Sequence, residues 1–138
     1  RTAAGPATGL IDEFGDAVER LPGAISREAY LDALHSCDVI LLPYDPRSYP
    51  PERGSGLAVE AVLAGKPIVT TANTFAAGLV TPESGVVGTD AASLADGLVQ
   101  IAANIERFRA GAHKEQQSAR SKYDPVRLYS QLIGLETT

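Results

Sequence analysis

The stretch RGSGLAVEAVLAGKPIVTT, residues 53–71, decides how this chain folds. Gly54-Ser55-Gly56 opens straight into a run of strong helix formers. Ser55 is therefore placed as an N-cap, and the glycines on either side let a ligand come close to the backbone. The first N–H groups of such a helix lack intrahelical partners and carry partial positive charge, so the turn suits a phosphate or pyrophosphate. Gly65 fits the position just past the helix end, and Pro67 forbids its continuation. Ile68-Val69-Thr70-Thr71 then reads as a short β-branched strand. Glu60 is the misfit in an otherwise apolar helix. A carboxylate there is either half-buried against a partner or turned toward a ligand.

Upstream, Val39-Ile40-Leu41-Leu42 is continuously apolar, the pattern of a strand buried on both faces in a parallel sheet. It runs into residues 43–52, ten positions holding four prolines, which can be neither helix nor central strand. Further back, Ser26 caps a helix through Ser36 with Ala29, Tyr30, Ala33, Leu34 and Cys37 on its apolar face. Residues 17–21 are expected as a short strand ending at Pro22-Gly23, residues 10–14 as a helical turn, and 1–9 as a loop. Downstream, 73–84 is a polar connection with a short helix near 76–80, and Gly85-Val86-Val87-Gly88 is a last weak strand. Ser93 is expected to cap a helix carrying Leu94, Leu98, Ile101, Ile105 and Phe108. A mostly polar helical stretch, 113–123, follows. Asp124 (N-cap) and Pro125 (N1) then start a terminal helix with Val126, Leu128, Tyr129, Leu132 and Ile133. Helices alternating with short buried strands give an α/β fold with a parallel sheet.

At 138 residues the chain is read as one domain, 1–138, with room for a real core. A net charge of −5 argues against nucleic acid or an anionic membrane as the main partner. No run approaches membrane-spanning length and no signal peptide is seen. The single cysteine, Cys37, cannot form a disulfide within the chain; it reads as core filler, and a reducing cytoplasm is expected. Without methionine and beginning at Arg1, the chain is expected to be a fragment.

Open α/β sheets bind ligands beyond the carboxyl ends of their strands, where the Pro22-Gly23-Ala24-Ile25 turn, the proline-rich loop and the Gly54-Ser55-Gly56 helix start all fall. Glu52 and Glu60, on the loop and the helix, are suited to hold hydroxyls along one extended ligand, as a carboxylate can hold a vicinal diol. The alternatives are a solvated loop acid for Glu52 and an ion pair for Glu60. Arg53 and Lys66 are candidate phosphate partners; for Lys66, past the far end of the helix, pairing with its C-terminal dipole is the favoured reading. The later cations Arg107, Arg109, Lys114, Arg120, Lys122 and Arg127 alternate with acids as on a solvated helix face. His35 and His113 read as surface residues without metal-ligand spacing. Tyr44 and Tyr49 could pack in the core or stack on a sugar.

In Asp38-Val39-Ile40-Leu41-Leu42-Pro43, in the spacing from Glu52 to Glu60, and in Glu60-Ala61-Val62-Leu63-Ala64-Gly65-Lys66-Pro67-Ile68-Val69, the chain resembles group 1 retaining glycosyltransferases. These have the GT-B architecture, two Rossmann-like domains facing across a cleft. The resemblance covers roughly residues 17–133 and matches the second half of the C-terminal, donor-binding domain. It implies a Rossmann-like parallel sheet with flanking helices, a truncated half of a GT-B fold. It also implies a nucleoside-diphosphate sugar as substrate, with no cofactor or metal, and an N-terminal acceptor domain missing from this chain. By the same resemblance Glu60 holds the donor ribose, and Glu52 faces the transferred sugar as the catalytic carboxylate. Gly54, Ser55, Gly56 and Leu57 would offer backbone N–H groups to the sugar and distal phosphate, and Gly23, Ala24 and Ile25 would touch the base. The family has Gly or Phe-Gly after its first glutamate, where this chain has Arg53-Gly54-Ser55-Gly56; Arg53 or Ser55 could take over the contacts of Glu52. The family's pyrophosphate-clasping arginine and lysine lie on an earlier stretch that is absent here. A nucleotide-sugar epimerase on the same architecture and a non-catalytic α/β binding module remain alternatives. Removal of the strand that pairs with residues 39–42 in the family leads to one more expectation, a homodimer joined through that edge.

Overall fold

The computed structural model describes residues 13–126, together with 130 and 134. Residues 1–12, and Leu128, Tyr129, Leu132 and Ile133 of the expected terminal helix, lie outside the described residues. The chain divides into two compact units, Arg1–Ala33 and Leu34–Thr138.

In the first unit a 3-10 turn, Gly15–Ala17, is followed by irregular chain. The strand expected over 17–21 is not formed. Val18 has extended backbone, but residues 18–22 join no sheet, and Val18 and Leu21 are exposed. Extended chain becomes strand only when a neighbour takes its N–H and C=O groups. Apolar residues three apart, moreover, cannot share one face of a sheet. Helix α1 (Arg27–Ser36) begins as expected, with Ser26 Oγ accepting the Ala29 N–H at 3.1 Å.

Among the described residues the second unit holds three parallel strands, β1 (Ile40–Leu42), β2 (Ile68–Thr71) and β3 (Gly85–Gly88), in the order β1-β2-β3. Ile40 pairs with Ile68 and Ile68 with Gly85. All four residues of the central strand β2 are buried, and Thr70 satisfies its hydroxyl by donating to Leu42 O at 2.8 Å. Helix α2 (Gly56–Leu63) packs Ala58, Ala61 and Val62 with Leu42, Ile68, Ala76 and Ala119. A second cluster gathers Val69, Leu94, Ile101 and Phe108 with helices α3 (Ala91–Ala103) and α4 (Ile105–Lys122). The alternation of residues along β2 thus supplies two cores, the pattern of a doubly covered parallel sheet. The expected short helix near 76–80 is a 3-10 turn, Ala76–Leu79.

Three local expectations change. Asp90, not Ser93, is the N-cap of α3: its carboxylate accepts the Ser93 N–H at 2.8 Å, while Ser93 Oγ accepts the Asp90 N–H at 3.0 Å. Ser93 is the third residue of a reciprocal capping box, so the helix starts earlier than a lone serine suggests. The helix carrying Leu94 and Phe108 breaks at Asn104 (φ −131°, ψ 36°), whose side-chain amide donates to Gln100 O at 3.0 Å, and the polar stretch at 113 continues α4. Cys37 is exposed and is not core filler. No helix among the described residues is long and apolar enough to cross a membrane.

Candidate functional site

The carboxyl end of β1 leads through residues 43–55 into the start of α2. Asp45 shapes the turn. Its carbonyl accepts the N–H groups of Ser48 (3.0 Å) and Tyr49 (2.8 Å), and its carboxylate takes the Arg47 N–H (2.9 Å) and two bonds from the Arg47 guanidinium. Hydrogen bonds from the Arg47 side chain, then from its backbone, hold the Asp45 carboxyl below the usual range. Pro50 O accepts the Arg53 N–H at 2.9 Å, so the proline-rich loop is a series of tied turns.

Ser55 is the N-cap of α2 as the sequence predicts. Its backbone is extended (φ −125°, ψ 114°), its Oγ accepts the Ala58 N–H at 3.2 Å, and its carbonyl accepts that of Val59 at 3.2 Å. The same Oγ lies 2.8 Å from the Tyr44 hydroxyl. Tyr44 stacks on Tyr49 with ring centroids 4.5 Å apart at 17°, and the Arg53 guanidinium sits 4.5 Å over the Tyr49 ring. Tyr44 also packs against the core cluster around α2, the first of the two readings of these tyrosines.

Glu52, Arg53, Gly54, Ser55, Gly56, Leu57 and Glu60 are thus gathered on one loop and the first turns of one helix. Glu52, Arg53, Gly54, Gly56 and Leu57 are exposed, while Ser55 and Glu60 are half-buried. Glu60 lies four residues after Gly56 on the same helix face, and helix geometry tilts its Cα–Cβ bond toward the helix start. A side chain added at Gly54 or Gly56 would meet nothing within 4 Å, so the approach to the N–H groups is open. Gly23, Ala24 and Ile25 belong to the Arg1–Ala33 unit, with Gly23 and Ala24 in a bend.

At the other end of α2 the predicted stop is observed. Gly65 has φ +70°; its N–H bonds to Val62 O (2.9 Å) and that of Lys66 to Ala61 O (3.1 Å), the paired closure of a Schellman motif. Lys66 serves a different helix end from the one expected: its Nζ donates to His35 O, in the last turn of α1, at 2.7 Å. His35 and His113 are exposed, as expected. Asn73, which the sequence reading passed over, is exposed just past β2 with φ +59°, and Thr74 Oγ1 bonds back to Thr71 O at 2.6 Å. Its signal was an asparagine in a short polar run, since asparagine tolerates this conformation better than most residues.

A cleft of 280 Å³ lined by Cys37, Asp38, Lys66, Arg109, His113 and Gln116 lies at the amino ends of the strands; of the candidate phosphate partners it includes Lys66, but none of residues 52–57 or 60. Among the described residues no cluster of His, Cys, Asp and Glu is built to hold a metal ion.

The structure is similar to that of sucrose-phosphate synthase from Thermosynechococcus elongatus, with a TM-score of 0.70 and 23% identity. The fold is one Rossmann-like half of a GT-B fold. The likeness covers 94% of this chain and 34% of the other, so the chain spans about a third of that protein's length. No protein-family model matches the sequence, and no curated protein matches it.

Proposed function

We propose that this chain is the donor-binding part of a retaining glycosyltransferase and takes the nucleoside diphosphate of a nucleotide-sugar at the start of α2. The observation that carries this is the exposed, Ser55-capped helix start at the carboxyl edge of a GT-B-like sheet, with Glu60 one turn further in. N–H groups of Gly54 to Leu57 meet the distal phosphate and the sugar, Arg53 adds positive charge, and Glu60 accepts the ribose hydroxyls. Glu52 faces the transferred sugar. Fixed N–H dipoles and the guanidinium stabilise charge on the departing diphosphate while the sugar passes to an acceptor hydroxyl. A second domain on a longer chain holds the acceptor, and the enzyme works in the cytoplasm without a metal. Calorimetric titration of the 138-residue chain with uridine, guanosine and adenosine diphosphates tests the proposal. One of the three should bind, and Glu60→Ala should weaken it by about 1.5–3 kcal/mol, the cost of losing a charged hydrogen-bond partner. Absence of binding by all three, or equal binding by Glu60→Ala, contradicts it.

A further inference from the structure

Arg53 is exposed and forms no ion pair among the described residues. Its guanidinium nevertheless has a fixed place, 4.5 Å over the Tyr49 ring with Nη1 donating to Ser48 O at 2.7 Å. An arginine carries five N–H donors in a planar fork, so the ring sets the plane of the fork while most of its donors stay unspent. Holding a long exposed side chain still costs rotamer entropy. What is gained is a cation preset for a planar or bidentate anion contact. Tyr49 is itself held, because its ring stacks on Tyr44 at 4.5 Å, and the Tyr44 hydroxyl lies 2.8 Å from Ser55 Oγ. One ring pair therefore ties the cation to the cap across the proline-rich loop, Tyr44 and Ser55 being eleven residues apart in the chain.

We propose that Tyr49 and Tyr44 are positioning residues for a bound diphosphate, Tyr49 fixing the Arg53 guanidinium against it and Tyr44 fixing Ser55 beside it. The inference rests on the nucleotide-sugar reading and gives two tyrosines, neither touching the ligand, separate duties. Tyr49 acts through the face of its ring, Tyr44 through its hydroxyl.

Calorimetry on the full chain separates these duties, with the three nucleoside diphosphates, the matching nucleosides and inorganic pyrophosphate as probes. Arg53→Gln and Tyr49→Leu should each weaken the preferred diphosphate and pyrophosphate about tenfold while leaving the nucleoside within about twofold. Tyr49→Phe should bind as the parent does, and Tyr44→Phe should lose diphosphate affinity, since only the second removes a hydroxyl that is in use. A Tyr49→Leu variant that weakens nucleoside and diphosphate alike, or neither, overturns the proposal. If that variant does not fold, the two phenylalanine variants decide it, and equal behaviour of the pair counts against it. A parent that binds pyrophosphate with the Arg53 and Tyr49 dependence but prefers no nucleoside diphosphate contradicts the donor reading and leaves the stack in place. A parent that binds none of the probes overturns both.

Discussion

Ser55 and Gly65 bound one short helix, at its start and just past its end, and answer to different forces. At Gly65 the backbone decides: φ is +70°, and a Cβ there would lie 3.1 Å from Gln116 Oε1. Gln116 cannot yield freely, because its side-chain amide donates to Leu63 O at 2.8 Å. Gly65→Ala should therefore cost about 1–3 kcal/mol in urea unfolding, from the left-handed backbone and the disturbed amide together. At Ser55 the cap decides, and Ser55→Ala should cost about 1 kcal/mol. Both positions were legible in the sequence because caps and stops are local: the residues that need them lie within five positions. The Tyr44–Ser55 contact was not, because nothing in the spacing says how a loop with four prolines folds back on itself.

Among the elements, α4 shows packing overruling propensity. Replacing a helical glycine by alanine normally favours the helix by about 1 kcal/mol. At Gly111, however, a Cβ would lie 2.0 Å from Glu83 O, a backbone atom at the approach to β3. Gly111→Ala should thus destabilise, by about 1–3 kcal/mol net, the usual cost of overpacking. A thermal melt equal to or above the parent's would contradict that close approach. Helix α3 is pH-sensitive at its start. The Ser93 backbone N–H, then the Ser93 side chain, holds the Asp90 carboxyl below its ordinary range. A carboxyl with a lowered folded pKa contributes stability that is complete above the unfolded value near 4 and is lost as pH falls through the folded value. The melting temperature of Asp90→Ala should lie below the parent's at pH 7, and the gap should narrow once pH drops below about 4. The same elements mark how far pattern reading reached. Strands β1 and β2 were legible as short β-branched or apolar runs between helices, but only β2 is buried throughout: β1 was expected to be covered on both faces, and Leu41 is exposed because the strand lies at the edge of the sheet. The strand expected over 17–21 failed because extended backbone is no strand without a partner, and no window of sequence shows the partner.

For the whole molecule the exposed side of β1 matters most. Among the described residues the strand pairs with β2 alone, and Leu41 is 43% exposed. An apolar strand with one row of N–H and C=O groups unpaired by any strand invites another chain. We propose that copies of this chain associate there. Sedimentation should show mass rising with concentration, and Leu41→Lys should suppress it; a parent that stays monomeric at high concentration contradicts the proposal. On the donor-domain reading the chain alone should transfer no sugar from any nucleotide-sugar, because positioning against an acceptor supplies much of such a reaction's acceleration. Measured transfer would overturn that division of labour. Donor binding at the start of α2 is tested most directly by backbone amide NMR of the chain titrated with uridine, guanosine and adenosine diphosphates. The largest shifts are expected at Gly54, Ser55, Gly56, Leu57 and Glu60, for one of the three. No shifts with any of them, or shifts confined to the cleft at Lys66, Arg109 and His113, would contradict it.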